Sequence, residues 1–108
     1  MSIKRYVVLY NDSAANTGSW IQLDTRYEDY SQRTLQFTVV STDNLILEGT
    51  TVDYKTIDKS YLSTLPASDI STITTITSTG TYTLTGPWAY VRVKKIGTAG
   101  VGKAEGLI

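Results

Sequence analysis

The chain has 108 residues, with ten basic side chains against ten acidic, 41% hydrophobic and 19% charged residues, proportions that suit one folded globular domain. A cancelled net charge gives no general attraction to nucleic acid or to an anionic membrane, so neither is an expected partner. With no cysteine and no histidine, disulfides, thiolate metal sites and imidazole general bases are excluded, and no metal or cofactor is expected.

The opening "MSIKRYVVLYND" holds an apolar run too short and too polar for a signal peptide, and no stretch nears the roughly 20 apolar residues that cross a bilayer. A soluble chain without a secretion signal is the default expectation. Its distinctive residues are 18 Thr and 10 Ser, beside eight Tyr. Thr and Tyr suit half-buried pleated strands, so an all-β fold is expected.

In chain order, Ile3–Tyr10 alternates Ile3, Arg5, Val7 and Leu9 with Lys4, Tyr6, Val8 and Tyr10. It is apolar on both sides from Tyr6 onward, which predicts a strand covered twice. Asn11–Ser19 is polar and turn-rich and predicts a loop. Trp20–Asp24 reads as a short strand with Ile21 and Leu23 on one side. Thr25–Gln32 has no apolar period and predicts a surface loop carrying Tyr27 and Tyr30. Arg33–Ser41 is the clearest strand, with Leu35, Phe37 and Val39 inward and Thr34, Gln36 and Thr38 outward.

The "TDN" that follows predicts a hairpin into a second strand, Leu45–Ile57, where Gly49 marks a bulge or close packing. Asp58–Asp69 suggests one helical turn through Tyr61, Leu62 and Leu65, ended by Pro66. Ile70, Ile73 and Ile76 recur every three residues, a helical spacing. Every residue from Thr72 to Thr77 is β-branched, however, which favours a bulged or edge strand. "TYTLT" and "WAYVRVKKI" read as two strands joined at a corner made by Gly86, Pro87 and Trp88. Val91 and Val93 of the second point inward, and Tyr90, Arg92 and Lys94 outward.

Residues 97–108 carry four of the eight glycines and predict a flexible segment, either a loose last strand or an arm that orders on a partner. Seven or eight short strands make a single domain over 1–108, an antiparallel β-sandwich that is jelly-roll-like.

Residues capable of chemistry are sparse. Asp24, Glu28 and Asp29 cluster in the tyrosine-bearing loop, and Asp53, Asp58 and Asp69 lie near strand ends; all read as solvated charges rather than a facing acid–base pair. The many hydroxyls lack a partner base, and neither Ser-x-x-Lys nor Gly-x-Ser-x-Gly occurs. Gly97 to Lys103 has the spacing of a phosphate-cradling loop, but Ala104 stands where the magnesium-holding hydroxyl belongs. Asn11–Ser19 lacks the acidic ligand spacing of a calcium loop. Trp20 and Trp88 are expected in a core or an interface. No catalytic residue is assigned.

The stretch "GTYTLTGPWAYVRVKKIG" resembles a closing motif of small structural proteins of tailed bacteriophage virions, Gly-x-Tyr-x-Leu-x-Gly-Pro-aromatic-x-Tyr-x-Arg-Val. There it follows a strand similar to "LILEGTTVDYKTID", so the likeness spans about Trp20 to Gly97. The chain departs from the pattern at Thr50-Thr51-Val52-Asp53, where an Asp-Gly turn is usual. The resemblance implies a non-enzymatic virion component, first of all a capsid decoration (cement) protein lying across capsomer junctions. Its implied partners are the major capsid protein and further copies of itself, as a homotrimer. Its implied location is the capsid surface, after synthesis in the host cytoplasm. Tyr90, Arg92 and Lys94, with Tyr27 and Tyr30, are then the candidate interface. The alternatives are a tail, fibre or neck protein, or a carbohydrate-binding module using Tyr27, Tyr30 and a tryptophan.

Overall fold

The computed structural model describes residues 6–23, 32–40, 42–52, 62 and 64–108. Eight strands follow in order: β1 (Tyr6–Asp12), β2 (Ile21–Gln22), β3 (Gln32–Thr38), β4 (Asn44–Thr50), β5 (Ser71–Ile76), β6 (Gly80–Thr85), β7 (Tyr90–Ile96) and β8 (Gly102–Leu107). They form two four-stranded sheets, β1-β8-β3-β6 and β2-β7-β4-β5, and every ladder is antiparallel. Strand 1 pairs with 8, 2 with 7, 3 with 6 and 4 with 5. This is the order produced when one long hairpin, turning between β4 and β5, is wrapped into a sandwich. The expected all-β, jelly-roll-like sandwich is therefore the fold.

Period-2 alternation builds the core. Leu35 and Phe37 of β3, Leu45 and Leu47 of β4, Val91 and Val93 of β7 and Ala104 of β8 have no exposure, and Leu84 of β6 retains 1%. These side chains meet between the sheets. Each large aliphatic or aromatic among them contributes about 1.5–3 kcal/mol of transfer free energy. On the opposite side of β3, Thr34, Gln36 and Thr38 are exposed as the alternation requires. Gly49 is the close-packing glycine: a Cβ there meets Ile73 Cδ1 at 2.7 Å and the Trp88 ring at 2.8 Å. β5 is both bulged, opposite Leu47/Glu48, and an edge strand.

The structure corrects several expectations. The "TDN" turn is not a hairpin, because β3 and β4 lie in different sheets. It carries the chain across the sandwich, and Asp43 turns inward rather than into solvent. β1 is covered on one side only, since Tyr6 and Val8 remain 58% and 46% exposed. A bulge between Val8 and Tyr10 breaks its alternation, so that the consecutive Leu9 and Tyr10 are both buried.

Leu62 and Thr64 have 3-10 conformation that stops before Leu65 and Pro66, as expected of a turn ended by proline. Pro66 also precedes a second 3-10 turn, Ala67–Asp69, as the preset φ of proline allows. The span Asp53–Tyr61 lies outside the described residues. The glycine-rich C-terminal segment forms β8, hydrogen-bonded to β1 on one side and β3 on the other. Its glycines serve close packing: a Cβ on Gly106 would stand 2.6 Å from the Thr34 carbonyl oxygen.

Candidate functional site

Alternation along β7 sends Val91 and Val93 into the core, and it sends Lys95 the same way. Lys95 is 1% exposed, with its stem beside Gly102, where a Cβ would meet Lys95 Cδ at 3.1 Å. Its Nζ emerges at one end of the sandwich and donates to Asp43 Oδ2 at 2.7 Å, to the Ser13 carbonyl at 3.1 Å and to the Gly97 carbonyl. Asp43, 2% exposed, also accepts from the amides of Ala99 and Gly100, each at 3.1 Å. The hydrogen bond from Lys95 holds the Asp43 carboxyl below the usual carboxylate range, against the opposing effect of burial, with the two amides assisting.

This buried pair ties three loops together: β1–β2 through Ser13, β3–β4 through Asp43 and β7–β8 through Gly97, Ala99 and Gly100. All three ammonium protons have protein acceptors, and the carboxylate is surrounded by three donors. An acid–base or nucleophilic group needs a free valence aimed at a substrate, and Lys95 and Asp43 spend theirs on one another and on backbone. The pair is a clasp.

The β1–β2 loop is anchored to the same end. Gly18 donates to Val93 O at 2.7 Å, Lys95 N donates to Asn16 O at 2.9 Å, and the Tyr10 hydroxyl donates to Ala14 O at 2.7 Å. Asp12 accepts from the Ala14 amide at 3.1 Å and from Asn16 Nδ2 at 3.4 Å. These bonds, the Ala14 amide foremost, lower its pKa.

A second cluster lies on the outer side of the β2-β7-β4-β5 sheet. Arg92 Nε donates to Glu48 Oε1 at 2.8 Å across the β7–β4 ladder, and its guanidinium stands 4.4 Å from the centre of the Trp20 ring. The indole Nε1 of Trp20 is buried without an acceptor among the described residues. A ring lying under an arginine is not a free stacking platform for a sugar.

The candidate interface set divides accordingly. Lys94 is exposed, Arg92 is half-buried in the pair with Glu48, and Tyr90, although on the outer side of the sheet, is buried at 2% exposure and presents no surface. Tyr90 lies between its cross-strand neighbours Gln22 and Thr50, and Thr50 is itself fully buried, so this end of the sheet's outer side does not face solvent. Tyr27 and Tyr30 lie outside the described residues. Gly86, Pro87 and Trp88 do form the corner between β6 and β7. Gly86 adopts φ +112°, a conformation that favours glycine, and Trp88 Nε1 donates to the Thr85 carbonyl at 3.1 Å.

Sequence reasoning missed Asp43 and Lys95. The signal for Lys95 was present, because the alternation that buries Val91 and Val93 also places Lys95 inward. No local signal marks Asp43, whose partner is distant in sequence. An open recess of about 200 Å³ at the β5–β6 turn is lined by Thr75, Ile76, Thr77, Ser78, Thr79, Gly80 and Thr81, with no ionisable side chain.

The fold and its clusters define a jelly-roll β-sandwich whose most organised polar group is a structural clasp. No protein-family model, curated protein or solved structure matches the chain.

Proposed function

We propose that this protein is a non-enzymatic virion structural component, a capsid decoration protein that binds across capsomer junctions and adds contact area to the phage head. The observation that carries the proposal is the closed valence of the Asp43–Lys95 clasp. The most elaborate polar constellation among the described residues rigidifies three loops and presents nothing to a substrate. A jelly roll with pinned loops suits a rigid adaptor, and viral capsid domains are among the proteins that use this architecture. The resemblance of Gly80–Gly97 to phage structural proteins points the same way. Exposed Lys94 and the exposed threonines of β3 and β6 supply neutral and weakly basic contact surface.

The test is co-sedimentation of the purified protein with DNA-expanded heads of the phage that encodes it. Saturable binding at a fixed ratio to the major capsid protein is expected. Absence of binding to both expanded and unexpanded heads removes the proposal. Of the residues of the carbohydrate-binding alternative, Trp20 lies beneath Arg92 and Trp88 packs against Gly49, while Tyr27 and Tyr30 lie outside the described residues.

A further inference from the structure

A β-sandwich has four sheet edges, and native proteins blunt edges with short strands, bulges, charge or proline. Three of the four are blunted here. β2 has two residues, β1 is interrupted by its bulge at Val8/Tyr10, and β5 is bulged opposite Leu47/Glu48. β6 has none of these devices. Its register with β3 runs unbroken from Gln32↔Thr85 to Phe37↔Gly80, and no strand lies on its far side among the described residues. No charged residue occurs from Ile70 to Val91, so neither β6 nor the edge strand β5 carries a charge of its own.

We propose that the free edge of β6 pairs antiparallel with β6 of a second copy of this chain, joining two β1-β8-β3-β6 sheets into one eight-stranded sheet about a twofold axis. The sequence of β6 is self-complementary in that arrangement. Thr81, Thr83 and Thr85 are exposed on the outer face, while Tyr82 is half-buried and Leu84 buried on the inner one. A symmetric pairing centred on Thr83 sets Thr81 against Thr85 and Tyr82 against Leu84. One centred on Tyr82 sets Thr81 against Thr83 and Tyr82 against itself.

Both registers give threonine–threonine pairs outside and aromatic or aliphatic pairs inside, the combinations that stabilise antiparallel ladders. A charged residue in β6 would face its own copy and repel it, and β6 contains none. Such a twofold interface is isologous, unlike the trimer that the phage resemblance implies. Six residues span only about 20 Å, so the interface is small and the dimer exchanges with monomer. The inference stands on strand order and edge composition and does not depend on the virion reading.

The absence of cysteine makes a direct test possible. Directly opposed residues of an antiparallel pair have Cα atoms about 4.5–5.5 Å apart, within the range a disulfide bridges. Thr83→Cys alone reports the Thr83-centred register, and an equimolar mixture of Thr81→Cys and Thr83→Cys reports the other. Thr34→Cys, on the same face but one strand inward, is the control. All three positions are exposed, and circular dichroism checks that each variant folds. Under mild oxidation one of the first two samples is expected to form covalent dimer at least about tenfold faster than the control, because pairing replaces chance collision with a high effective concentration. Equal rates in all samples, or no dimer from either β6 sample, overturn the proposal. Sedimentation equilibrium of the unmodified protein is the second measurement: a mass rising with concentration toward twice that of the monomer supports pairing, and a constant monomer mass or a trimer without dimer overturns it.

Discussion

Replacing Gly106 by alanine separates a central β8, where it destabilises, from a loose C-terminal arm, where it would leave stability unchanged. Gly106 sits between Val7 of β1 and Leu35 of β3. An added Cβ would lie 2.6 Å from the Thr34 carbonyl oxygen, 2.9 Å from Leu35 Cδ2 and 3.2 Å from Leu35 Cα. Two of these three atoms are backbone of β3, so relief requires the strands to part and costs about 1–3 kcal/mol, the usual range for overpacking. For a domain near this size each kcal/mol lowers Tm by roughly 4–8 °C. In a loose arm the same change would restrict the folded and unfolded chains alike and leave stability unchanged. Gly80→Ala is the internal control, because a Cβ there meets nothing within 4 Å. Thermal and urea unfolding followed by circular dichroism should show Gly106→Ala lower by at least about 4 °C, with Gly80→Ala unchanged or raised. Equal stability of the two variants would refute the central placement of β8.

Other perturbations address the clasp and the outer cluster. Lys95→Met, which leaves the buried Asp43 without its counter-charge, should lower the urea midpoint far more than Lys94→Met, whose side chain is exposed. Equal effects would mean that the pair is not buried in solution. Because the Asp43 carboxyl titrates lower in the folded protein than in the unfolded chain, its stabilisation is complete above the unfolded carboxylate range near pH 4 and is lost as pH falls through the lower folded value. Asp43→Asn should therefore be less stable at pH 7 and lose less on acidification than the parent; parallel acid unfolding curves would contradict this. Arg92→Met breaks a partly exposed pair and a cation–π contact. It should cost about 1 kcal/mol or less, with a shift in tryptophan emission from the uncovered Trp20; an unchanged spectrum would contradict the contact.

The sheets were legible where one face of a strand is apolar and the other hydroxylated. β3 shows this plainly, with Leu35 and Phe37 inside and Thr34, Gln36 and Thr38 outside. The bulged, edge character of β5 also follows from its unbroken run of β-branched residues. What misled was short-range turn chemistry. "TDN" has the composition of a hairpin, yet the jelly-roll order needs a crossing between sheets there, a decision made by long-range pairing that no local residue reports. Glycine content likewise suggested looseness at 97–108, whereas Gly102 and Gly106 are small because Lys95 and the β3 backbone occupy the space a side chain would need. Tyr90 obeys the alternation and is still buried, beside the equally buried Thr50, which strand period alone does not report. Lys95 was overlooked because a charge is expected outside, although the strand's own period places it in.

The proposal that this chain works by adding contacts to a virion rather than by chemistry is put to the test by quantitative mass spectrometry of virus particles purified from the source that expresses it. The account predicts the chain in a fixed, high ratio to the major capsid protein, retained through density-gradient purification. Its absence from intact particles, while it is abundant in the infected-cell lysate, would contradict the account.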